Sequence, residues 1–463
     1  MITAIEQSGN YLGAFSDFQR LATRNDPCWL RKVREDAFAR FCETGFPTTH
    51  EEDWRFTNVS AIAQTSFQLA VDDSCAISER DIEPYRLAES VCQMVFINGY
   101  FAPELSRIND LPSGLKINTL SKILAEDPER AEKYLGRYLD VHRDAFAALN
   151  TAFLREGAYI HIQRRAVIEQ PVYLLYISTG DGPIMSHPRN LVIADRESQA
   201  AVVEDYVSLG GSGSAFCNAV TELVADDAAV VSHYMIEREN RDSFNVSTLR
   251  VEQRRGANVA SHSVLLGGGL VRNNVHPVLA GEGAECLING LFIGGGHQHL
   301  DNYMLVEHAS AHGDSRQFYN GILDAQAHGV FHGRIIVHKE AQKTDAKQTN
   351  RNLLLSDDAR IDTKPQLEIH ADDVKCTHGA TIGQIEEDAL FYLRSRGIDE
   401  ATARRLLLYA FAGECLDRMK EPLVRTFIEG LIHQHLTEMS QSAHTSFDPE
   451  QQADAKRNWE GLG

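Results

Sequence analysis

The chain has 463 residues, of which 43% are apolar and 24% charged, and its formal net charge is −20. This length exceeds what one ordinary core holds and predicts two or three folding units of globular composition. The acidic balance argues against a general nucleic-acid or anionic-membrane binder, because both functions need clustered Lys and Arg.

The cysteines and the N-terminus indicate the compartment. Eight cysteines are scattered over the chain without a C-x-x-C pair, which argues against a disulfide framework and an ordinary zinc site. The first residues, MITAIEQSGNYLGAFSDF, lack the basic and apolar run of a signal peptide. No later stretch approaches about 18 consecutive apolar residues. We therefore expect a reduced, cytoplasmic protein.

Residues 1–156 are predicted to be an α-rich domain with a few strands. In DPCWLRKVREDAFARFCETG, Asp26 can cap a helix that has Pro27 at its first position and ends before Gly45. The apolar face of this helix would carry Leu30, Val33, Ala37 and Phe41. A second stretch with helical apolar periodicity, residues 132–157, predicts a helical hairpin.

Residues 157–385 change to a long all-β domain. Short β runs such as AYIHIQ, PVYLLYIS and NLVIAD follow one another between Gly, Asp, Asn and Ser turns. The sequence LLGGGLV at 265–271 recurs loosely as FIGGGHQ at 292–298. Such spacing is typical of stacked solenoid coils and favours a β-helix, although a β-sandwich stays open as the alternative.

Residues 386–440 are predicted to be a C-terminal helical domain. Asp399 can cap a helix, and a second apolar stripe follows Pro422. The apolar residues of the two helices are Ala403, Leu406, Leu407 and Ala410 in the first, then Leu423, Phe427 and Leu431 in the second. Residues 441–463 form a polar tail that we expect to be disordered.

The stretch ADDVKCTHGATIG, residues 371–383, carries the candidate site. Most Cys-x-His pairs on a strand are structural, and a free cysteine often behaves as a small buried apolar group. However, Cys376 and His378 lie two residues apart, so on a strand both would face the same side, close enough to ligate iron or a small cluster. A tetrahedral centre needs four ligands, and the others would come from elsewhere in the chain, from a partner or from sulfide.

The run from 330 to 398 resembles the C-terminal core of the SufB/SufD family of iron–sulfur cluster assembly proteins. It contains the elements A-Q-x-T-x-A-x-Q-x-N and L-E-I-x-A-D-D-V, and weaker similarity extends over residues 160–415. The sequences K-C-x-H-G-A-T and LFYLRSRGI are similar to the SufD branch. The family usually has an aromatic residue where His370 stands, so His370 becomes an additional possible ligand.

The resemblance implies a right-handed parallel β-helix flanked by N-terminal and C-terminal helical domains. It implies a non-catalytic scaffold subunit that pairs with a SufB-like paralogue through the end of the β-helix and docks a SufC-like ATPase through its C-terminal helices. Cys376 and His378 match the positions that the family places at the paralogue interface, where a nascent cluster is thought to form. The isolated chain would hold no cofactor stably, and we expect it to form a homodimer.

Two other function classes are weighed against this one. A β-helix with acidic residues could be a polysaccharide-acting enzyme, although a signal peptide would then be expected. The chain could also be a self-contained metalloenzyme that uses Cys376, His378 and His370. A metal site at His297 and His299 is a weaker alternative, and the glycine triplets lack the Lys-Ser/Thr of a phosphate loop.

Overall fold

The computed structural model describes residues 4–22, 26–70, 77–180, 182–210 and 213–445. The chain divides into two compact units, residues 1–382 and 383–463. The helices of the first unit are α1 (Ala4–Ala22), α2 (Cys28–Thr44), α3 (Ser60–Gln64), α4 (Glu79–Ile82), α5 (Leu120–Glu126), α6 (Pro128–Tyr134) and α7 (Ala145–Ala152). Those of the second unit are α8 (Glu387–Ser395), α9 (Glu400–Leu416) and α10 (Pro422–Thr445). No helix in these described ranges is long and apolar enough to cross a membrane.

The strands of the first unit fill most of residues 158–383. They are β1 (Gln68–Leu69), β2 (Cys92–Ile97), β3 (Tyr100–Phe101), β4 (Leu115–Thr119), β5 (Ala158–Ile162), β6 (Val172–Thr179), β7 (Ile184–Ser186), β8 (Arg189–Ala194), β9 (Gln199–Leu209), β10 (Ala215–Ala225), β11 (Val230–Arg238), β12 (Phe244–Gln253), β13 (Asn258–Leu265), β14 (Leu270–Leu279), β15 (Glu285–Gly294), β16 (His299–His308), β17 (Asp314–Leu323), β18 (His328–Val337), β19 (Asp345–Leu354), β20 (Arg360–Ile369) and β21 (Lys375–Gly383).

Successive strands alternate between two sheets. From β8 onward, even-numbered strands pair in parallel in one sheet and odd-numbered strands in the other, each with the strand two places along the chain. Each coil therefore adds one strand to each sheet, which is the arrangement of a β-solenoid. The prediction of a parallel β-helix is confirmed, and the β-sandwich alternative is wrong.

The core lies between the two sheets because side chains alternate along each strand. In β18, for example, Phe331, Ile335 and Val337 are buried in the core, while His328 and Arg334 point away from it. Pairing is in register between neighbouring coils, as His299 pairs with His328. Each inward residue therefore stacks on the inward residue of the next coil, and one continuous core results.

Non-glycine residues with positive φ recur at one corner of the solenoid. Glu197, Ala228, His312 and Lys343 all have φ between 56° and 63°. Their backbone N–H groups each donate to a carbonyl of the next coil, as Glu197 does to Asp227 at 2.9 Å. Left-handed backbone costs an L-residue roughly 1–2 kcal/mol, and the repeated hydrogen bond between corners offsets this cost.

The predicted N-terminal region is part of the solenoid unit. Strand β2 joins one sheet by pairing in parallel with β6 and in antiparallel with β3, and β4 joins the other sheet by pairing in antiparallel with β5. The predicted boundary near 156 therefore falls inside one compact unit.

The predicted helix boundaries in this region need two corrections. Helix α2 begins at Cys28 rather than at Pro27, because the Asp26 carboxylate pairs with Arg34 instead of capping the helix. The helical stretch predicted over 132–157 is broken, and two shorter helices, α6 and α7, begin at separate caps, Asp127 and Asp144.

The second unit contains the predicted helices with a shifted apolar stripe. Asp399 caps α9 by accepting a hydrogen bond from the Thr402 N–H at 3.0 Å, as expected. In α10 the fully buried residues are Val424, Ile428, Ile432 and Leu436, so the predicted stripe lies one residue too early. Helix α10 extends to Thr445, into the predicted tail, and residues 446–463 lie outside the described part.

Candidate functional site

The last coil of the solenoid presents two strand edges. Within the described residues, β20 and β21 each have a neighbouring strand on one side only. Such an edge offers backbone N–H and C=O groups to another chain. Ile369 and Ile382, which are 41% and 52% exposed, add apolar surface to the same coil. The last coil can therefore pair with strands of another chain.

Cys376 lies on β21 and is half-buried against the apolar core of the solenoid. Burial raises the pKa of its thiol, and the Asp345 carboxylate raises it further, while a hydrogen bond with the Ala346 backbone acts in the opposite direction. The thiol form is therefore favoured at neutral pH. Binding of a metal would release its proton, because the thiolate is the ligand.

His378 lies on the same strand and is exposed. Because it is two residues from Cys376, the two side chains project to the same face of the sheet. In the part of the chain that the structure describes, no group of three or more His, Cys, Asp or Glu side chains is placed to hold a metal ion. The pair would therefore supply two donors to a centre that needs four.

The other predicted ligands do not join this pair. His370 is exposed just after β20, and its backbone N–H donates to the Val337 carbonyl at 2.9 Å. His299 is half-buried beside Thr57, whose hydroxyl donates to Asp301 and lies 2.9 Å from the imidazole Nε2. Burial lowers the pKa of His299 to about 4. His299 therefore has a structural role in the attachment of the 51–57 segment to the solenoid.

The glycine triplet at 267–269 allows neighbouring turns to approach closely. A Cβ atom at Gly267 would overlap the Glu239 backbone, and one at Gly269 would overlap Arg241. Gly268 has a φ of 66°, which glycine adopts without strain. These contacts are with protein backbone, so they explain the triplet without a phosphate ligand.

Sequence reasoning missed a polar cluster inside the solenoid. The Glu204 carboxylate is buried and accepts hydrogen bonds from Thr221 at 2.5 Å and Tyr206 at 2.6 Å, and it lies 3.1 Å from His233 Nε2. Burial raises the pKa of Glu204, but these hydrogen bonds and the charge of His233 outweigh burial, and the net pKa is lowered. The cluster lines a cavity of about 10 Å³, which has room for one water molecule.

Sequence reasoning also missed a pair of buried amides one coil before Cys376. The Gln348 Nε2 donates to the Gln317 Oε1 at 2.6 Å inside the solenoid. The only signal for this pair was the Gln348 position in the element A-Q-x-T-x-A-x-Q-x-N, the second half of which lies on β19. Only the strand register shows that the side chains of Gln317 and Gln348 point into the solenoid.

The chain is similar to proteins of iron–sulfur cluster assembly along most of its length. The family model "SUF system FeS cluster assembly, SufBD core domain" matches residues 176–411, and "SufBD protein N-terminal region" matches residues 5–174. An iron–sulfur cluster assembly SufBD family protein of Synechocystis is 36% identical over 410 residues, which are 87% of this chain and 90% of the relative. The iron–sulfur cluster assembly protein SufD of Escherichia coli is 31% identical over 401 residues, 86% and 89% of the two chains. SufD of Bacillus subtilis is 25% identical over 437 residues, 90% and 95% of the two chains.

Proposed function

This chain belongs to the SufBD family of iron–sulfur cluster assembly proteins, and from that membership we propose that it is a non-catalytic scaffold subunit of a Suf complex. In this proposal it pairs with a SufB-like paralogue, binds a SufC-like ATPase and contributes Cys376 and His378 to a nascent cluster or iron site. The cytoplasm is its proposed location. The position of Cys376 and His378 on the last, one-sided coil is the observation that supports the proposal most strongly.

The edge of the last coil is the proposed contact with the paralogue. A SufB-like chain that ends in a similar coil could continue both sheets by pairing with β20 and β21, since main-chain hydrogen bonds give affinity in strand addition. The exposed Ile369 and Ile382 would be covered in the same step. The contact would then bring ligands of the partner to the coil that carries Cys376.

The chemistry of the two side chains suits iron and sulfide as cargo. A cysteine thiolate is a soft ligand that iron–sulfur clusters prefer, and a neutral imidazole also binds iron. Cys376 and His378 leave the remaining ligand positions to sulfide and to the partner. A centre shared in this way is completed only when both chains are present, which suits a cluster that is passed on.

The C-terminal helices are the proposed docking site for the ATPase. Phe391 and Tyr392 on α8 are 74% and 57% exposed, and Leu406 on α9 is 47% exposed. Large exposed apolar side chains on neighbouring helices are typical of a partner surface. We expect Leu406→Glu to weaken capture of the ATPase while the chain still pairs with its paralogue.

The test of the ligand role is a set of strains scored for complex recovery and for growth that depends on iron–sulfur enzymes. We expect His378→Ala and Cys376→Ser to give normal complex recovery with lost growth, because exposed or half-buried side chains at an edge contribute little to folding. His370→Ala is the matched control on the same coil, and its growth should stay normal. Normal growth with normal recovery in the His378→Ala strain would remove His378 from the site.

A further inference from the structure

The backbone of the last coil shows which residue lies beside His378. The Asp345 N–H donates to the Gly313 carbonyl at 3.0 Å, and Asp345 pairs with Asp314. The Lys375 N–H donates to the Thr344 carbonyl at 2.8 Å, which is the same offset one coil later. Lys375 therefore lies beside Asp345. Three residues further along both strands, His378 lies beside Gln348.

Gln348 points into the solenoid with one hydrogen-bonding atom unused. The residue is only 1% exposed, and its Nε2 donates to Gln317. Within the described residues, its Oε1 has no hydrogen-bond partner. A buried amide oxygen without a donor is costly, because it has lost its hydration. Paired residues on neighbouring parallel strands project to the same face, so His378 projects to the face of Gln348.

The amide of Gln348 is held in place from the opposite sheet. A Cβ atom at Gly333 would overlap the Gln348 side chain and approach the Gln317 Oε1, so only glycine leaves room for this pair. The orientation of Gln348 is therefore fixed by packing and by the bond to Gln317. A fixed acceptor next to a candidate ligand is the usual means by which a protein orients a metal-binding imidazole.

We propose that Gln348 is a positioning residue for His378, an inference that rests on the proposed function. Its Oε1 has no partner among the described residues, and a rotation of the exposed His378 side chain would let this oxygen accept a hydrogen bond from one ring N–H. A neutral imidazole has one donor and one acceptor nitrogen, so this bond selects the tautomer. The other ring nitrogen then presents its lone pair to the iron. The lack of space for a side chain at Gly333 and the burial of Gln317 belong to the same arrangement.

The test compares Gln348→Met, which removes the acceptor at similar length, with Gln348→Glu, which keeps an oxygen beside His378. The readouts are the His378 ring tautomer, from ¹⁵N NMR of the ring-labelled full chain, and the iron retained by the purified complex. We expect one dominant tautomer in the natural protein and in Gln348→Glu. In Gln348→Met we expect a mixture of both His378 ring tautomers. We also expect about 10-fold less retained iron, which is typical when the hydrogen-bond partner of a metal-binding histidine is removed.

The matched control is Gln366→Met, because Gln366 lies on β20 and is 2.9 Å from the His332 imidazole on the outer face. It should change neither readout. An unchanged tautomer and unchanged iron in Gln348→Met would overturn the inference. If Gln348→Met does not fold, a mixed tautomer in Gln348→Glu would overturn it instead. If His378→Ala leaves growth normal, the proposed function fails, whatever the tautomer.

Discussion

Three histidines are held neutral by burial in the solenoid unit. Burial lowers the pKa of His187 to about 3, and of His299 and His308 each to about 4. The His308 Nε2 lies 2.8 Å from the Ser315 hydroxyl, and the His187 ring stacks on Phe153. Each imidazole contributes packing and a neutral hydrogen bond, and charging it inside the fold is unfavourable.

These histidines predict a loss of stability in mild acid. Their folded-state pKa values lie below the ordinary histidine value of 6.5, so the unfolded chain binds protons first as the pH falls. The stabilisation is complete above pH 6.5 and decreases toward pH 4. For His299 the full loss is on the order of 3 kcal/mol. Glu237 and Glu239 act in the opposite direction, because burial raises the pKa of Glu239 to about 7 and that of Glu237 well above its ordinary value. Their contribution is lost as the pH rises above 4.5.

The measurement is denaturant unfolding at pH 7.5, 5.5 and 4.5. Relative to a variant that lacks one of these histidines, we expect the natural chain to lose more free energy of unfolding across this series, while Glu237 and Glu239 act in the opposite direction in both chains. The His308→Gln variant keeps a polar group near Ser315 but cannot titrate, so its pH slope should be shallower. An equal slope in the variant would contradict the assignment of His308.

Glycines within the strands make space for large inward side chains of neighbouring coils. A Cβ atom at Gly290 would overlap the ring of Tyr319, and one at Gly321 would overlap Phe292 and Asn352. The Tyr319 hydroxyl lies 3.0 Å from Ser263, two coils away. The tyrosine can span this distance only because Gly290 on the intervening strand has no side chain.

The Gly290→Ala substitution should therefore destabilise the solenoid by roughly 1–3 kcal/mol, the usual cost of overpacking a core. Chemical denaturation of the full chain measures this change. Gly430→Ala in α10 is the matched control, because nothing lies within 4 Å of the added methyl group and alanine favours a helix. Similar unfolding midpoints for the two variants would show that Tyr319 moves aside without cost.

The error in the predicted apolar stripe of α10 has a simple cause. In α10 the predicted Leu423, Phe427 and Leu431 and the observed Val424, Ile428 and Ile432 are both spaced by four residues. Both rows are apolar, so periodicity could not choose between them. The choice depends on where the neighbouring helices lie, and this information is not contained in a single helix sequence.

At the scale of the whole molecule, the solenoid was predictable and its polar interior was not. The recurrence of glycine triplets and the family resemblance both indicated stacked coils, and the Cys376–His378 pair was visible as a spacing. The roles of Gln348 and Glu204 depend on which residues face inward at each coil. A shift of one residue in the pairing of a strand would reverse that direction, and the sequence alone does not determine the register.

The one-sided last coil predicts that the isolated chain forms a homodimer. Two copies that pair through β20 and β21 would cover both edges and the exposed Ile382, in an isologous contact. Light scattering at micromolar concentration should give the mass of a dimer. The Ile382→Lys variant should be monomeric, whereas Leu12→Lys, at a similarly exposed residue on α1, should remain dimeric. A natural chain that is monomeric under these conditions would refute the prediction.

The in-register pairing of the coils also limits how the length of this chain can change during evolution. His299 pairs with His328, and His328 pairs with Arg360, although the number of residues per coil differs between these two steps. The difference is absorbed at the corners, because a residue gained or lost within a strand would exchange its core and surface sides. Insertions and deletions among homologues, and peptide tags added in the laboratory, should therefore be tolerated at the corners, whereas the strands can change in number only by whole coils.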